Sequence, residues 1–247
     1  ESPCKTLSGA GVAFKLAAAL DGCTPDEMLP FYGDLAAIGT IADIMLLEGE
    51  NRRIVKAGLA LLQQTERPGI AALIEACGLG GKELTAENVS FGLAPRLNAA
   101  GRMDSAAAAL ELLLCEDPEE AEAIVAGLEA QNAARQKAEQ DILQGVLDSV
   151  AADETYGADR ILVVWGRGYH QGVIGIVASR VVERFGKPAI IVSVDENGEG
   201  KGSGRSIAGV SLYNAIAACG DLLIRFGGHA LAAGLSVREE NLPAFRK

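Results

Sequence analysis

The sequence lacks the features by which several classes of protein are recognised. Its five cysteines are scattered and never form a Cys-x-x-Cys pair, which argues against a disulfide framework or a zinc site and favours a reducing compartment. No apolar run reaches the roughly 18 residues of a membrane helix. The opening residues, ESPCKTLSGAG, contain no starting Met, basic region or apolar stretch. We therefore expect no secretory leader, no membrane partner, a cytoplasmic location, and a chain that is a piece of a longer protein.

Basic and aromatic residues are also in short supply. The 22 Lys and Arg are outnumbered by 33 Asp and Glu, and the net charge of −11 excludes a protein that coats nucleic acid through a broad positive surface. Aromatic residues make up 4% of the chain against 30 glycines, which favours an α/β protein over a β-sandwich. The charge is unevenly placed, because residues 116–150 hold 2 basic and 9 acidic side chains whereas residues 151–247 hold 11 and 10. The C-terminal part is therefore close to neutral.

The residues that are present change their pattern along the chain. Residues 1–115 read as helical throughout. Residues 118–150 predict one long, largely solvated helix that joins two bodies, because apolar residues recur at i, i+4 spacing and no proline or turn cluster follows Pro118. From residue 151 strands and helices alternate, which predicts an α/β domain. Predicted helices cover residues 11–20, 31–45, 51–65, 68–77, 85–92, 173–185 and 212–219, and predicted strands cover residues 160–165, 189–194, 200–207 and 231–237.

One carboxylate in the first segment follows a wholly apolar run. Residues 39–43 (GTIAD) end in Asp43, and residues 44–47 are apolar again, so we expect Asp43 to be embedded near a core. A buried charge is unfavourable unless it is capped, paired or metal-bound. A helix cap is the plain alternative to a functional role.

A second cluster sets cations among small residues. Residues 95–102 (PRLNAAGR) contain Arg96, Asn98 and Arg102. Small residues let a ligand come close, and guanidinium forks suit phosphate or carboxylate groups. The cluster therefore predicts an anion site, with ion pairs to Asp or Glu between packed helices as the alternative.

A glycine-rich turn in the last segment contains the first of two histidines. Residues 168–175 (GYHQGVIG) follow a strand and open a helix, where backbone N–H groups can hold an anion. The glycine spacing is not that of a dinucleotide-binding fold. His170 is therefore a candidate binding residue, although a lone histidine is more often structural.

Two further glycine-flanked clusters follow. Residues 200–206 (GKGSGRS) resemble a phosphate nest in composition and lack the residue order of a P-loop, and a hairpin turn with a solvated arginine is the alternative. Residues 227–234 (GGHALAAG) bring His229 close to the backbone, ready to donate to a phosphate oxygen, with a turn histidine as the alternative. Together the three clusters predict a concave anion site.

The clusters GTIAD, PRLNAAGR, GYHQGVIGIVASR, GKGSGRS and GGHALAAG, taken in this order, resemble the DHH phosphoesterase superfamily, and within it the single-stranded-DNA-specific 5′-to-3′ exonucleases. The resemblance covers nearly the whole chain. It implies an α/β architecture of three parts, with two domains that face each other across a cleft. These parts are the helical C-terminal part of a DHH domain in residues 1–115, a long connecting helix in residues 116–152, and an α/β DHH-associated, substrate-binding domain with a mixed sheet in residues 153–247.

The resemblance also implies roles for individual residues. Asp43 corresponds to the last aspartate of a set that holds two Mn²⁺ or Mg²⁺ ions, and the implied catalytic residues are Asp43, Arg102 and His229. Ser203 and Arg205 correspond to residues that grip a 5′-terminal phosphate. The implied substrate-binding residues are Arg96, Asn98, His170, Ser203, Arg205 and Ser206, with the role of His170 left open.

This sequence departs from the family in two respects. It contains neither the upstream Asp-x-Asp strand nor the Asp-His-His motif that supply the other metal ligands, and the nucleotide-binding OB-fold of the longer enzymes is also absent from it. For the whole protein the resemblance implies two-metal hydrolysis of single-stranded DNA from its 5′ end in DNA repair and recombination, with a helicase and a single-strand-binding protein as partners. For this chain alone it implies no activity. Three alternatives stay open: a nanoRNase or cyclic-dinucleotide phosphodiesterase of the same superfamily, a non-catalytic 5′-phosphate-binding module, and an inactive structural homologue.

Overall fold

The structure is a computed structural model that describes residues 6–247 and separates into two units, Glu1–Ala133 and Ala134–Lys247. The predicted α/β class is confirmed, because helices form the described part of the first unit and a five-stranded mixed sheet forms the second. Among residues 6–247, no helix has the length and apolar content needed to cross a membrane. Cys4 lies outside the described residues, and the thiols of the other four cysteines are free.

Local signals set where the helices of the first unit begin. These helices are α1 (Gly9–Leu20), α2 (Pro25–Ala42), α3 (Gly49–Gln63), α4 (Pro68–Ala76), α5 (Ala86–Asn88), α6 (Ala94–Met103) and α7 (Ala107–Leu114). Thr24 caps α2 through a reciprocal pair of hydrogen bonds with Glu27, and Pro25 occupies the first helical position, where no N–H donor is needed. Thr85 and Asn88 form the same reciprocal cap before α5. Apolar side chains from these helices pack into one core.

One stretch of the first unit departs from the predicted pattern. The sequence predicts helical structure throughout residues 1–115, with a short helix over residues 85–92 and no separate helix bounds for residues 95–102. In the structure α5, a π-helical turn (Val89–Leu93) and α6 form one nearly continuous helical run. Pro95 is accommodated because it lies in the first turn of α6. Asn98 and Arg102, four residues apart, therefore share one face of a helix.

The long helix predicted after residue 117 is present as α8 (Pro118–Ala152), which crosses the boundary between the two units. The Asp117 carboxylate caps it by accepting hydrogen bonds from the N–H groups of Glu119 and Glu120. The predicted apolar stripe is buried along one side of the helix at Leu128, Ile142 and Val146.

The second unit is built on a sheet with the strand order β1-β2-β3-β5-β4. Its elements are β1 (Leu162–Arg167), α9 (Ile174–Phe185), β2 (Ala189–Val194), β3 (Glu199–Arg205), α10 (Leu212–Ala218), β4 (Leu223–His229), β5 (Ala232–Arg238) and α11 (Leu242–Arg246). β1 and β2 run parallel with α9 as their crossover, and the other neighbours are antiparallel. All four predicted strands are present. β4 was missed because its two glycines and exposed side chains give no alternating apolar signal.

The central strand β3 has two different faces. A Cβ added at Gly202 would lie 2.9 Å from Leu235 Cδ1, and one at Gly204 would lie 2.6 Å from Leu212 Cδ2. The glycines of this strand therefore face the apolar core formed with α10 and α11. The residues that alternate with these glycines project to the opposite face, which α9 covers in part, and they are Lys201, Ser203 and Arg205.

Arg246 fastens the C-terminal helix α11 to the turn that follows α8. Its guanidinium donates to the carboxylates of Asp153 (2.7 Å) and Asp159 (2.8 Å) and to the hydroxyl of Thr155 (2.7 Å). The same group lies 3.4 Å from the centre of the Tyr156 ring. Four contacts by one planar cation hold the two ends of the second unit together.

Replacing Asp153 by asparagine should lower the Tm at neutral pH and have less effect in acid. Hydrogen bonds from Thr155 and Arg246 lower the pKa of the Asp153 carboxyl from 3.8 to about 2. A lowered pKa means that the carboxylate stabilises the fold above its unfolded-state pKa, and that this contribution is lost as the pH falls towards 2. The Tm difference between wild type and Asp153→Asn should therefore be constant down to about pH 4.5 and then shrink. A difference independent of pH throughout acid titration would contradict this prediction.

Candidate functional site

Three predicted site residues of the first unit line one cavity. Asn98 and Arg102 project from α6, and Asp43 follows the end of α2. The cavity has a volume of about 540 Å³, which is in the range of small-ligand sites. Small residues complete its wall, namely Ser8, Gly9, Ala10, Gly39 and Ala42. The cavity thus offers an amide, a guanidinium and a carboxylate to one ligand.

The close approach of α1 to α2 shapes this cavity. A Cβ at Gly39 would lie 2.3 Å from the Cβ of Ala10, so a larger residue would push the two helices apart. The buried Ser8 hydroxyl accepts a hydrogen bond from the Gly11 N–H at 3.0 Å and lies 3.2 Å from the buried Thr40 hydroxyl. Sequence reasoning missed this pair, because a hydroxyl among small residues gives no signal of its role.

Asp43 is exposed, and the expectation that it is embedded near a core is wrong. The chain leaves the core after it, since Ile44 is 85% exposed and Leu46 is 67% exposed. Asp43 is the C-cap of α2, and Ile44 adopts φ 54°, a left-handed conformation that is unusual for a β-branched residue. The carboxylate therefore lies beside the last carbonyl groups of α2, whose partial negative charge favours a cation next to it.

Arg96 forms an ion pair, which is the alternative that the sequence left open. Its Nη2 lies 3.1 Å from Glu129 Oε1, and its Nη1 donates to the Gly92 carbonyl at 3.0 Å. Burial raises the pKa of the neighbouring Cys77 thiol, and the charge of Arg96 partly opposes that rise. Arg96 thus connects α6 with the part of α8 in the first unit and is not among the residues that line the cavity.

Ser203 and Arg205 are neighbours on the polar face of β3. Arg205 Nη1 donates to Ser203 Oγ at 3.2 Å and to the Gly204 carbonyl at 2.8 Å. The first turn of α9 lies directly over them, because a Cβ at Gly175 would be 3.0 Å from Ser203 Oγ and 3.1 Å from Arg205 Nη2. The positive end of the α9 dipole therefore lies next to the Arg205 guanidinium and the Ser203 hydroxyl. These three groups together suit the binding of phosphate oxygens.

The backbone fixes one ring nitrogen of each histidine. His170 Nδ1 accepts from the Gly172 N–H at 3.2 Å, and His229 Nδ1 accepts from the Leu231 N–H at 3.3 Å. These hydrogen bonds assign the proton of each neutral ring to Nε2, which remains a donor. His229 is exposed at the end of β4 and shares a face and a cross-strand row with Arg205 on β3. His170 is half-buried in the loop before α9.

Several predicted features of the second unit take a different form. Residues 200–206 do not make a phosphate nest, because most of them form an extended strand without a positive φ. Ser206 lies beyond this strand, and its hydroxyl donates to the Val210 carbonyl at 2.8 Å. At the start of α9, the N–H groups of Val173 and Ile174 bond to the His170 carbonyl. His229 belongs to a strand and not to a turn.

Sequence reasoning also missed Lys201 and Arg225, which lie on the same face of the sheet as Ser203. The signal was present in residues 199–205, where glycine alternates strictly with larger residues. Such alternation is typical of a strand with one close-packed face, and it would have placed Lys201 on the polar one.

The described residues do not by themselves form a complete metal site. Within residues 6–247, no group of three or more His, Cys, Asp or Glu side chains lies together as a metal site requires. Asp43 offers at most two oxygen atoms, whereas Mg²⁺ and Mn²⁺ take about six ligands. The donors described above on α6 and β3 are suited to bind and orient an anion.

Residues 158–247 match the family model of the DHHA1 domain, which assigns most of the second unit to this class of domain. Over the whole chain the relatives are exonucleases named RecJ. The chain is 46% identical over 246 residues to the single-stranded-DNA-specific exonuclease RecJ of Bacillus subtilis. The aligned region covers 99% of this chain and 30% of that relative. The chain is 38% identical over 264 residues to the RecJ of Dickeya dadantii. The aligned region covers 99% of this chain and 46% of that relative.

A solved structure agrees with these relatives. The crystal structure of RecJ from Thermus thermophilus in complex with Mg²⁺ matches with a TM-score of 0.85 and 41% identity, and the match covers 99% of this chain and 38% of that one. The chain is therefore homologous to RecJ exonucleases over its whole length, and it spans less than half the length of these relatives.

Proposed function

We propose that this chain is the part of a single-stranded-DNA-specific 5′-to-3′ exonuclease that holds the 5′ end of the substrate. The observation that carries the proposal is the Ser203–Arg205 pair beneath the first turn of α9, on the open face of a DHHA1 sheet. A guanidinium, a hydroxyl and a helix N-terminus at one point favour a terminal phosphate, which carries more negative charge than a phosphate within the strand.

The other predicted residues have roles that follow from their positions. Asn98 and Arg102 would donate to phosphate oxygens from α6, and Arg102 would neutralise charge that develops during hydrolysis. His229 would donate from Nε2 to a phosphate oxygen beside Arg205. His170 would order the loop that precedes α9, since its carbonyl and ring both accept backbone N–H groups.

The metal requirement is part of the proposal for the longer protein. Solved RecJ structures are described as complexes with Mg²⁺ and with Mn²⁺. Asp43 would supply one carboxylate to a site of two such ions, with the remaining ligands in the portion of the relatives that this chain does not span. We therefore propose that the chain by itself binds DNA ends and does not hydrolyse them.

The proposed domains and surroundings follow from the same relationship. Residues 1–115 would be the C-terminal part of a DHH domain, residues 116–152 the connecting helix, and residues 153–247 the substrate-binding domain. The protein would act in the cytoplasm in DNA repair and recombination, where a helicase and a single-strand-binding protein supply and cover single strands.

Binding of matched oligonucleotides tests this function. We expect the chain to bind a 5′-phosphorylated thymidine oligonucleotide more tightly than the same oligonucleotide with a 5′-hydroxyl, in fluorescence anisotropy titrations at one fixed salt concentration. A 3′-phosphorylated strand is the control, because it carries the same charge at the other end. Equal affinities for all three strands would remove the 5′-phosphate site.

A further inference from the structure

A groove in the first unit lies apart from the cavity that contains Asp43, Asn98 and Arg102. It is formed between α4 and the first half of α8 and has a volume of about 560 Å³. No residue lines both the groove and that cavity. The groove also shares no residue with the Ser203–Arg205 pair on β3. A ligand for this groove must therefore be inferred from its own two walls.

The α4 wall is apolar where a surface helix is usually polar. The opposite face of α4 belongs to the core, with Ile70, Leu73 and Ile74 buried. A helix with only its core face buried would place charged and polar residues on the outward side. Glu75, however, is the only charged residue among the nine of α4. The other α4 residues that line the groove are small, apolar and half-buried, and they are Pro68, Ala71, Ala72 and Ala76.

The α8 wall continues this surface on the other side of the groove. Its lining residues Glu122, Val125, Ala126 and Glu129 are spaced i, i+3, i+4 and i+7, which places them on one face of the helix. The lining residues of α4 repeat the same spacing. The two glutamates of α8 are about 10 Å apart along the helix axis, which is about two helical turns. The groove therefore suits the side of a further helix, because helices pack through rows of residues at these spacings.

Carboxylates stand at the ends of both walls. Glu66 and Glu75 are on the α4 side, and Glu122 and Glu129 are on α8. Glu129 is in an ion pair within the first unit, and the other three form none with any of residues 6–247. Residues 116–129 hold six acidic and no basic side chains. This part of the surface repels phosphate groups and attracts lysine and arginine, so the charge selects a cationic partner and rejects nucleic acid.

We propose that this groove binds an amphipathic helix of a partner protein, with leucine-like side chains on its apolar face and lysine or arginine on its flanks. The apolar side chains would fill the space between the alanines of α4 and Ala126 of α8. The cations would pair with the three glutamates that form no ion pair. A second copy of this chain is a poorer occupant, because each copy carries a net charge of −11. The inference does not rest on the proposed function.

Binding of a synthetic peptide tests the groove. The probe is a fluorescein-labelled peptide of leucine and lysine in helical spacing, and the controls are a peptide of the same composition in scrambled order and one with glutamate in place of lysine. In anisotropy titrations at fixed salt, the wild-type chain should bind the amphipathic peptide about 10-fold more tightly than the scrambled one, because only the former aligns its leucines with the groove. Equal affinity for these two peptides would mean that net charge alone causes binding, and the groove would not be a docking site.

A substitution that fills the groove tests its position without changing the charge. Ala126 is exposed and leucine is a good helix residue, so Ala126→Leu should keep the Tm. It should weaken binding of the amphipathic peptide by about 10-fold or more, because one apolar side chain of the peptide loses its place. Ala123→Leu is the control, since Ala123 is exposed on the same helix and does not line the groove. An Ala126→Leu variant that binds as tightly as Ala123→Leu would contradict the proposal.

Charge variants and the longer protein complete the test. Glu66→Gln and Glu122→Gln should each weaken peptide binding by about 2- to 5-fold, as expected for exposed ion pairs. Glu119→Gln removes a charge from α8 outside the groove and should have little effect. Equal losses in all three variants would show long-range attraction and no specific pairing. The longer protein should bind the peptide as this chain does, and loss of binding there would overturn a separate partner, because another part of the same protein would then fill the groove.

Discussion

Replacing Arg205 by glutamine should reduce the preference of the chain for a 5′-phosphorylated strand by about 10- to 100-fold. A hydrogen bond that involves a charged group contributes about 1.5–3 kcal/mol, and the guanidinium can make more than one to a phosphate. Arg205 is already oriented for this task, because its hydrogen bonds to Ser203 and to the Gly204 carbonyl limit its rotamers before a ligand arrives. The quantity to measure is the ratio of Kd for the 5′-hydroxyl strand to Kd for the 5′-phosphorylated strand.

Two control variants separate geometry from charge. Arg205→Lys keeps the charge and loses the planar fork, so it should give an intermediate ratio. Arg184→Gln removes one charge from the exposed C-terminal turn of α9 and should leave the ratio unchanged. If Arg184→Gln and Arg205→Gln lower the ratio equally, the effect is long-range electrostatics and Arg205 does not contact the phosphate.

Replacing Gly58 by alanine should destabilise the chain by about 1–3 kcal/mol or more in the free energy of unfolding. Gly58 lies where α3 crosses α2. A Cβ there would be 2.2 Å from the Ala37 Cβ and 2.4 Å from the Gly33 carbonyl oxygen. Backbone cannot move aside as a flexible side chain can, so the two helices would have to separate. Intrinsic helix propensity acts in the opposite direction by about 1 kcal/mol, which the collision exceeds.

Gly127→Ala is the matched control for this prediction. Gly127 is also inside a helix, α8, but a Cβ there would meet no atom within 4 Å. Alanine should therefore stabilise the chain at this position by up to about 1 kcal/mol. Urea denaturation of both variants gives the comparison, and a Gly58→Ala variant that gains stability as Gly127→Ala does would show that the helices of the first unit pack less closely than described.

The sequence predicted the elements whose apolar and polar residues follow the burial pattern of the helix or strand that they form. α8 has a proline at its first position, acidic residues after it, apolar residues at i, i+4 spacing and no internal proline, and its bounds were predicted to within two residues. β2 is buried along its whole length and was found with its bounds. β4 was missed because it is exposed, and α6 was not given bounds of its own because it is rich in small and polar residues. β4 is held in the sheet by its pairing with β5, and α6 packs against α7 and α2, so both depend on contacts that their own residue patterns do not show.

The candidate site was predicted in part for similar reasons. The sequence indicated that Asp43, Asn98 and Arg102 are chemically unusual, and the fold places them around one cavity. The sequence could not show whether Arg96 binds an anion or forms an ion pair, because the ion pair with Glu129 depends on how α6 packs against α8. The predicted burial of Asp43 is wrong because its apolar neighbours Ile44, Leu46 and Leu47 are exposed and do not belong to a core.

The position of β3 in the sheet has a consequence for how firmly each part of the substrate would be held. β3 is paired on both sides, whereas β4 is an edge strand paired only to β5. Central strands open only in rare, large unfolding events, and edge strands fray at a much lower free energy. Ser203 and Arg205 thus share the slow opening of the sheet centre, while His229 shares the faster fluctuations of its rim. A DNA strand bound by its 5′ end would contact the rigid residues Ser203 and Arg205 first and the more mobile His229 further along.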